Sequence, residues 1–149
     1  MAKVVASAER SIDAPADRVY GYLADMNQRQ RFLPPAFSDF QIEQGGVGTG
    51  TVTRFKITAG GRTRSCRMQV SEPAPGRTLV ETDTGSSLVT TFDVTPRGDK
   101  SLVKVTTSWD GASGVGGFFE RTFAPRALGR LHLEALDRLN AYAVQQHTS

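Results

Sequence analysis

The sequence predicts an α+β protein in which a curved antiparallel sheet of about seven strands wraps a long C-terminal helix. Two patterns predict this. From Phe37 to Trp109 apolar and polar residues alternate, and turn signals recur at Gly45-Gly46, Gly60-Gly61, Pro75-Gly76, Gly85 and Arg97-Gly98-Asp99, as in a meander of strands with short links. From Ala127 to Gln146 the period changes: Leu128, Leu131, His132, Ala135, Leu136, Leu139, Tyr142 and Ala143 fall within an arc of about 140° on a helical wheel. A sheet with one wet face needs its dry face covered. No other segment offers an apolar stripe of about 20 residues, or about 30 Å as a helix.

In chain order, the first strand is expected at Val4 to Ile12, where Val4, Ala6, Ala8 and Ile12 alternate with Val5, Ser7, Glu9 and Ser11. A helix follows, with Asp13 as N-cap, Pro15 in the first turn, and Val19, Tyr22, Leu23 and Met26 at helical spacing. It ends near Asn27. Gln28 to Phe37 forms a corner, a short helix or turn stopping before Leu33, because Pro34 and Pro35 remove backbone donors and bias the preceding residue away from helix. Six strands are then expected: Phe37 to Glu43, Thr49 to Ile57, Arg62 to Ser71, Thr78 to Thr84, Ser87 to Val94 and Ser101 to Trp109. Alternation assigns Phe40, Ile42, Phe55, Ile57, Arg64, Cys66, Met68, Val70, Leu88, Thr90, Phe92, Val94, Val103, Val105, Thr107 and Trp109 to the dry face. Arg54, Lys56, Arg67, Gln69, Asp93 and Lys104 fall on the wet one. Pro125 marks the first turn of the last helix or a kink in it.

Composition narrows the function. The 149 residues, 38% hydrophobic and 22% charged, suit one soluble domain over residues 1–149. No stretch approaches the roughly 18 apolar residues of a membrane span. The opening MAKVVASAERSI lacks the apolar region and cleavage pattern of a signal peptide, so a cytoplasmic protein is expected. With one cysteine and two histidines, neither a disulfide nor a metal cluster is expected. The net charge of +3 and pI of about 9.4 come from scattered arginines, only Arg62, Arg64 and Arg67 lying close together, which argues against nucleic-acid binding. Gly45 to Gly50 resembles a phosphate loop only in its glycines. It lacks the terminal Lys-Ser/Thr pair and leads into a strand, so a flexible loop at a cavity mouth is expected there. The run Ser113 to Gly117 is expected to be another flexible connection.

The order strand, two short helices, six strands, long helix is that of the helix-grip fold. The chain resembles the START-like (SRPBCC) superfamily in its bacterial polyketide cyclase/dehydrase and lipid-transport branch. The residues that carry the resemblance are SIDAPADRVYGYLADM from Ser11 to Met26, GGVGTG from Gly45 to Gly50, and FFERTFAPRAL from Phe118 into the last helix. It implies a cavity between the concave sheet and the C-terminal helix, open near the short helices and the strand-connecting loops. It does not choose among carriers, cyclases and hydrolases.

Combined with the alternation, the resemblance implies a pocket of Phe55, Cys66, Met68, Thr90, Phe92, Thr107, Trp109, Leu128, His132 and Leu136 for a small hydrophobic, lipid- or polyketide-like molecule. No cofactor is expected, and a monomer or homodimer is. His132 is the unusual residue, because a helix that only packs on a sheet carries Leu or Ala in mid-stripe. Either it contributes a polar contact to a cavity near Arg64, Cys66, Thr107 and Trp109, or it is a core histidine satisfied by Tyr142, a backbone carbonyl or water. Arg64 has three readings: a ligand contact, a pair with an internal carboxylate, or a strand register different from the one assigned. Cys66 reads as apolar filler, and Trp109 as pocket wall or plain core. Two function classes follow. A carrier or sensor takes an apolar ligand out of water. A cyclase uses the same cavity with His132 as proton-transfer group and Arg64 polarising a carbonyl. An RNA- or protein-interaction module built on the arginine-rich surface is a third reading.

Overall fold

The computed structural model describes residues 3–59, 61–110 and 125–148. Gly60, the Ser113–Gly117 run and the Phe118–Ala124 part of the motif entering the last helix lie outside the described residues. Strand β1 (Lys3–Ile12) precedes two helices, α1 (Ala16–Ala24) and α2 (Met26–Arg29). Then come β2 (Phe37–Gln44), β3 (Val52–Ala59), β4 (Arg62–Ala74), β5 (Thr78–Asp83), β6 (Val89–Arg97), β7 (Lys100–Asp110) and α3 (Pro125–Thr148). The strands form one antiparallel sheet in the order β1-β7-β6-β5-β4-β3-β2. This is the expected meander, with β1 closing against β7. Pro125 is the first residue of α3, where its missing N–H costs no helical hydrogen bond.

Two local expectations shift. Pro15, not Asp13, is the N-cap of α1, in an extended conformation with φ −62° and ψ 151°. The backbone N–H of Asp13 donates instead to Asn140 Oδ1 at 2.8 Å, tying the turn to α3. The helical run expected to reach Asn27 is divided at Asp25, which ends α1 and caps α2 by accepting from the backbone N–H of Asn27 at 3.0 Å.

The glycine loop is pinned in place. Met26 N–H donates to Gly46 O at 2.8 Å and Gly48 N–H to Ala24 O at 3.1 Å. Glu72 of β4 accepts from the backbone N–H of Thr49 at 2.8 Å and from the Tyr20 hydroxyl at 2.7 Å. No residue from Gly45 to Gly50 lines the cavity described below. The glycines therefore clamp the α1–α2 joint to the sheet, in place of the flexible mouth loop expected. Gly48 has φ +67°, and a Cβ there would collide with the Glu72 carboxylate. Gly48→Ala should therefore cost about 2 kcal/mol in a urea melt, combining a left-handed backbone penalty with the loss of the Glu72 contacts; a change within about 0.5 kcal/mol would show that the clamp is dispensable.

The dry face is not one continuous core. One buried cluster joins α1, α2 and the C-terminal half of α3 (Leu136, Leu139, Tyr142, Ala143) to Val70, Leu79, Phe92, Val94, Val103 and Val105. A second joins Leu128 and Leu131 of α3 to Phe55, Ile57, Cys66, Met68, Leu88 and Trp109. His132 falls between the two sets on the helix. In β2 a register shift between Ser38 and Gln41 accompanies a positive φ of 53° at Asp39. The irregularity disturbs the alternation, so Phe37 and Phe40, three apart, both reach Phe55, with ring centroids 5.4 Å and 6.0 Å away.

Candidate functional site

Between the two core clusters lies a cavity whose free space, mouth included, is about 890 Å³, of which about 80 Å³ can hold the centre of a water-sized sphere. Its apolar wall includes Leu23 and Met26 from the short helices, Phe32 and Leu33 from the corner, Phe37, Phe40 and Phe55 from β2 and β3, and Leu128, Leu136 and Leu139 from α3. Most of these side chains are buried. The half-buried ones, Leu33, Phe37, Phe40 and Ala135, mark the rim.

One polar line crosses this wall. Glu81 of β5 faces Thr90 of β6, and Thr90 faces Thr107 of β7 in the strand register. The hydroxyls of Thr90 and Thr107 lie 2.8 Å apart, and Thr107 Oγ1 is 2.7 Å from His132 Nε2. At the other end Arg29 of α2 donates to Glu81 Oε2 at 2.6 Å and to the Leu23 carbonyl at 3.0 Å, its guanidinium carbon 4.5 Å from the centre of the Phe92 ring. Both side chains of this ion pair are only 8% exposed. The line therefore runs from an internally neutralised ion pair to a hydroxyl–imidazole chain, all buried. In a low-dielectric site such groups polarise one another, and each is costly to leave unpaired.

Both expectations for His132 capture part of the arrangement. It lines the cavity beside Cys66 and Thr107, and it also has a structural partner, which is Thr107. The Tyr142 hydroxyl donates to Gln28 Oε1 at 2.9 Å. Burial pushes the His132 pKa down from 6.5 to about 4, so the ring is neutral near pH 7. As the folded-state value is the lower one, the unfolded chain takes up a proton between pH 6.5 and about 4 that the folded protein refuses. The stability contribution is thus complete above pH 6.5 and lost as the pH falls towards about 4, a change of about 3 kcal/mol. His132→Leu should cost no more than about 1 kcal/mol at pH 7.5, since Thr107 keeps Thr90 as partner, and should lose less stability than the wild type between pH 7.5 and 4.5. Equal losses in urea melts of the two proteins would mean that His132 is hydrated and freely protonated.

Phe55, Cys66, Met68, Thr90, Phe92, Thr107, Leu128, His132 and Leu136 all line the cavity; Trp109 and Arg64 do not. Trp109 is fully buried in the cluster with Leu128 and Leu131, two residues along β7 from Thr107. Its large ring is core. Of the three readings of Arg64, the internal carboxylate is the one found: its Nη2 donates to Asp83 Oδ2 at 3.0 Å, and Asp83 also accepts from Ser86 Oγ at 2.5 Å. Arg64 is thus paired with Asp83 and is not among the residues lining the cavity. Burial, reinforced by the Asp83 charge, pushes the Cys66 thiol up to about 12, which keeps it protonated and unreactive. The sequence reading missed Arg29 and Glu81. A signal existed for Glu81, because alternation in β5 places it on the same face as the buried Leu79 and Asp83.

An antiparallel sheet curled around a C-terminal helix, with a mainly apolar cavity between them, defines a START-like protein of the helix-grip fold. The chain belongs to the family described as polyketide cyclase/dehydrase and lipid transport, whose model matches residues 1–144. It is similar to the KanY protein, with 36% identity and a TM-score of 0.84 over 96% of this chain and 99% of KanY. Two more distant structures share the fold. The Zhui aromatase/cyclase from Streptomyces sp. R1128 is 17% identical, with a TM-score of 0.73 over 97% of this chain and 96% of its own. The major latex-like protein 151 from Panax ginseng is 10% identical, with a TM-score of 0.74 over 95% and 97%. No curated protein matches the chain. Among the described residues, no helix is long and apolar enough to cross a membrane.

Proposed function

We propose that the protein is a carrier or sensor that takes one small hydrophobic molecule into the cavity between sheet and α3. The observation that carries this reading is the wall itself, mostly apolar, its polar members being Thr53, the Arg29–Glu81 pair and the Thr90–Thr107–His132 chain. Burying about 200 Å² of ligand apolar surface there contributes about 5 kcal/mol before the costs of association. The family description, with its mention of lipid transport, points the same way.

A second reading, a polyketide cyclase or dehydratase, draws on the family description and on His132 facing the cavity. The titratable groups argue against it. Efficient proton transfer at neutral pH wants a group with a pKa near the working pH. The cavity instead offers His132 at about 4, Cys66 at about 12 and an ion pair whose members neutralise each other. Native mass spectrometry of the gently purified protein, before and after organic extraction, tests the proposal. A bound apolar mass that extraction removes and that returns unchanged after incubation supports a carrier or sensor. A returned ligand that has lost water supports the cyclase. An empty protein that also fails to bind Nile red overturns both.

A further inference from the structure

We infer that the cavity selects uncharged ligands carrying a hydroxyl or keto oxygen, which docks on the Thr90–Thr107–His132 chain, and that it rejects carboxylates. The inference rests on the cavity-binding reading above and adds the chemistry of the ligand's polar end. It follows from how the polar line is divided.

Among the described residues, the charged side chains on the cavity wall are Arg29 and Glu81. They are committed to each other at 2.6 Å, and Arg29 is further held by the Leu23 carbonyl and the Phe92 ring. A carboxylate entering the cavity would therefore find its one cation neutralised and a second carboxylate beside it. Losing its water without a counter-charge is costly enough to exclude it or force it to stay outside. A neutral oxygen meets different conditions at the other end of the line. In both contacts of the chain the donor is open: either threonine hydroxyl can donate, and the His132 role depends on its tautomer. Hydroxyl rotors and a neutral imidazole can reverse their direction together. One arrangement offers a ligand carbonyl a donor, and the reversed one offers a ligand hydroxyl an acceptor. The two threonines come from adjacent strands and His132 from the facing helix, so the chain is built into the wall and its position does not depend on a mobile loop.

Three compounds on one carbon skeleton test this: naphthalene, 2-naphthol and 2-naphthoate, each titrated at pH 7.5 by displacement of Nile red. The expected order is 2-naphthol several-fold tighter than naphthalene, the gain of about one hydrogen bond, and 2-naphthoate at least about tenfold weaker than 2-naphthol. The triple replacement Thr90→Val, Thr107→Val, His132→Leu removes every polar atom of the chain together, so that none is left unpaired. In that variant the ratio of 2-naphthol to naphthalene affinity, in which any change common to both ligands cancels, should fall to about one. Naphthoate binding as tightly as naphthol would overturn the selectivity while leaving the cavity reading intact. So would a naphthol preference that survives the triple replacement. Failure of all three compounds to bind the wild type would overturn the cavity reading itself, and the selectivity with it.

Discussion

Glu81→Ala should destabilise the protein by about 3–5 kcal/mol, because it strands the Arg29 guanidinium in an apolar wall. Arg29 and Glu81 have side chains 8% exposed, and they form a contact of 2.6 Å. Arg29 keeps the Leu23 carbonyl at 3.0 Å and the Phe92 ring, but neither neutralises its charge. Arg29→Ala should cost a similar amount for the mirror-image reason, an unpaired carboxylate on β5. The double replacement Arg29→Met with Glu81→Leu removes both charges and fills their volume, and should recover most of the stability lost by either single variant. Urea melts of the four proteins compare the broken pair with its apolar replacement. Single variants within about 1 kcal/mol of the wild type would mean that water reaches the pair and that this end of the cavity is wet.

Leu136→Asp should be of comparable severity. Leu136 is 1% exposed, belongs to the core cluster that includes Phe92, Val105 and Leu139, and also lines the cavity. An aspartate there loses the apolar contact between helix and sheet and gains an unpaired carboxylate, and should cost about 4 kcal/mol or more. If the variant no longer folds, Leu136→Ala provides the graded test. It should cost about 2–5 kcal/mol, less if the existing cavity absorbs the missing volume. Wild-type thermal stability in both variants would detach α3 from the sheet and with it the architecture described here.

Much of the fold was legible in the sequence because it depends on local periodicity. Alternation in β3, β4, β6 and β7 placed Phe55, Cys66, Met68, Thr90, Phe92 and Thr107 on the inner face, and the helical stripe placed Leu128, His132 and Leu136 opposite them. Where a local irregularity intervenes, the reading was incomplete: it placed Phe40 on the dry face but left out Phe37, which also lines the cavity. The positive φ of Asp39 lies within the register shift that leaves Phe37 and Phe40 on one side, and an alternating template has no place for such a shift. Likewise, glycine spacing from Gly45 to Gly50 revealed a loop with positive φ but not what it touches. Glu72, Ala24 and Met26, which hold it, lie on three other elements.

By itself, the sequence determined the fold class, the family, the covering role of the last helix and the presence of an out-of-place histidine in its apolar stripe. The fold class, the covering helix and the histidine follow from residue types at fixed spacing, and the family from a resemblance carried by Ser11 to Met26, Gly45 to Gly50 and the segment from Phe118 into the last helix. Only the tertiary structure decided what the polar residues do. It paired Arg64 with Asp83, 19 positions away, and Arg29 with Glu81, 52 positions away. It also set His132 on Thr107 and buried Trp109 in the core cluster of Leu128 and Leu131. A buried charge must find its counter-charge wherever the fold brings one close, and that proximity is created by strand register and helix docking, which no single segment encodes.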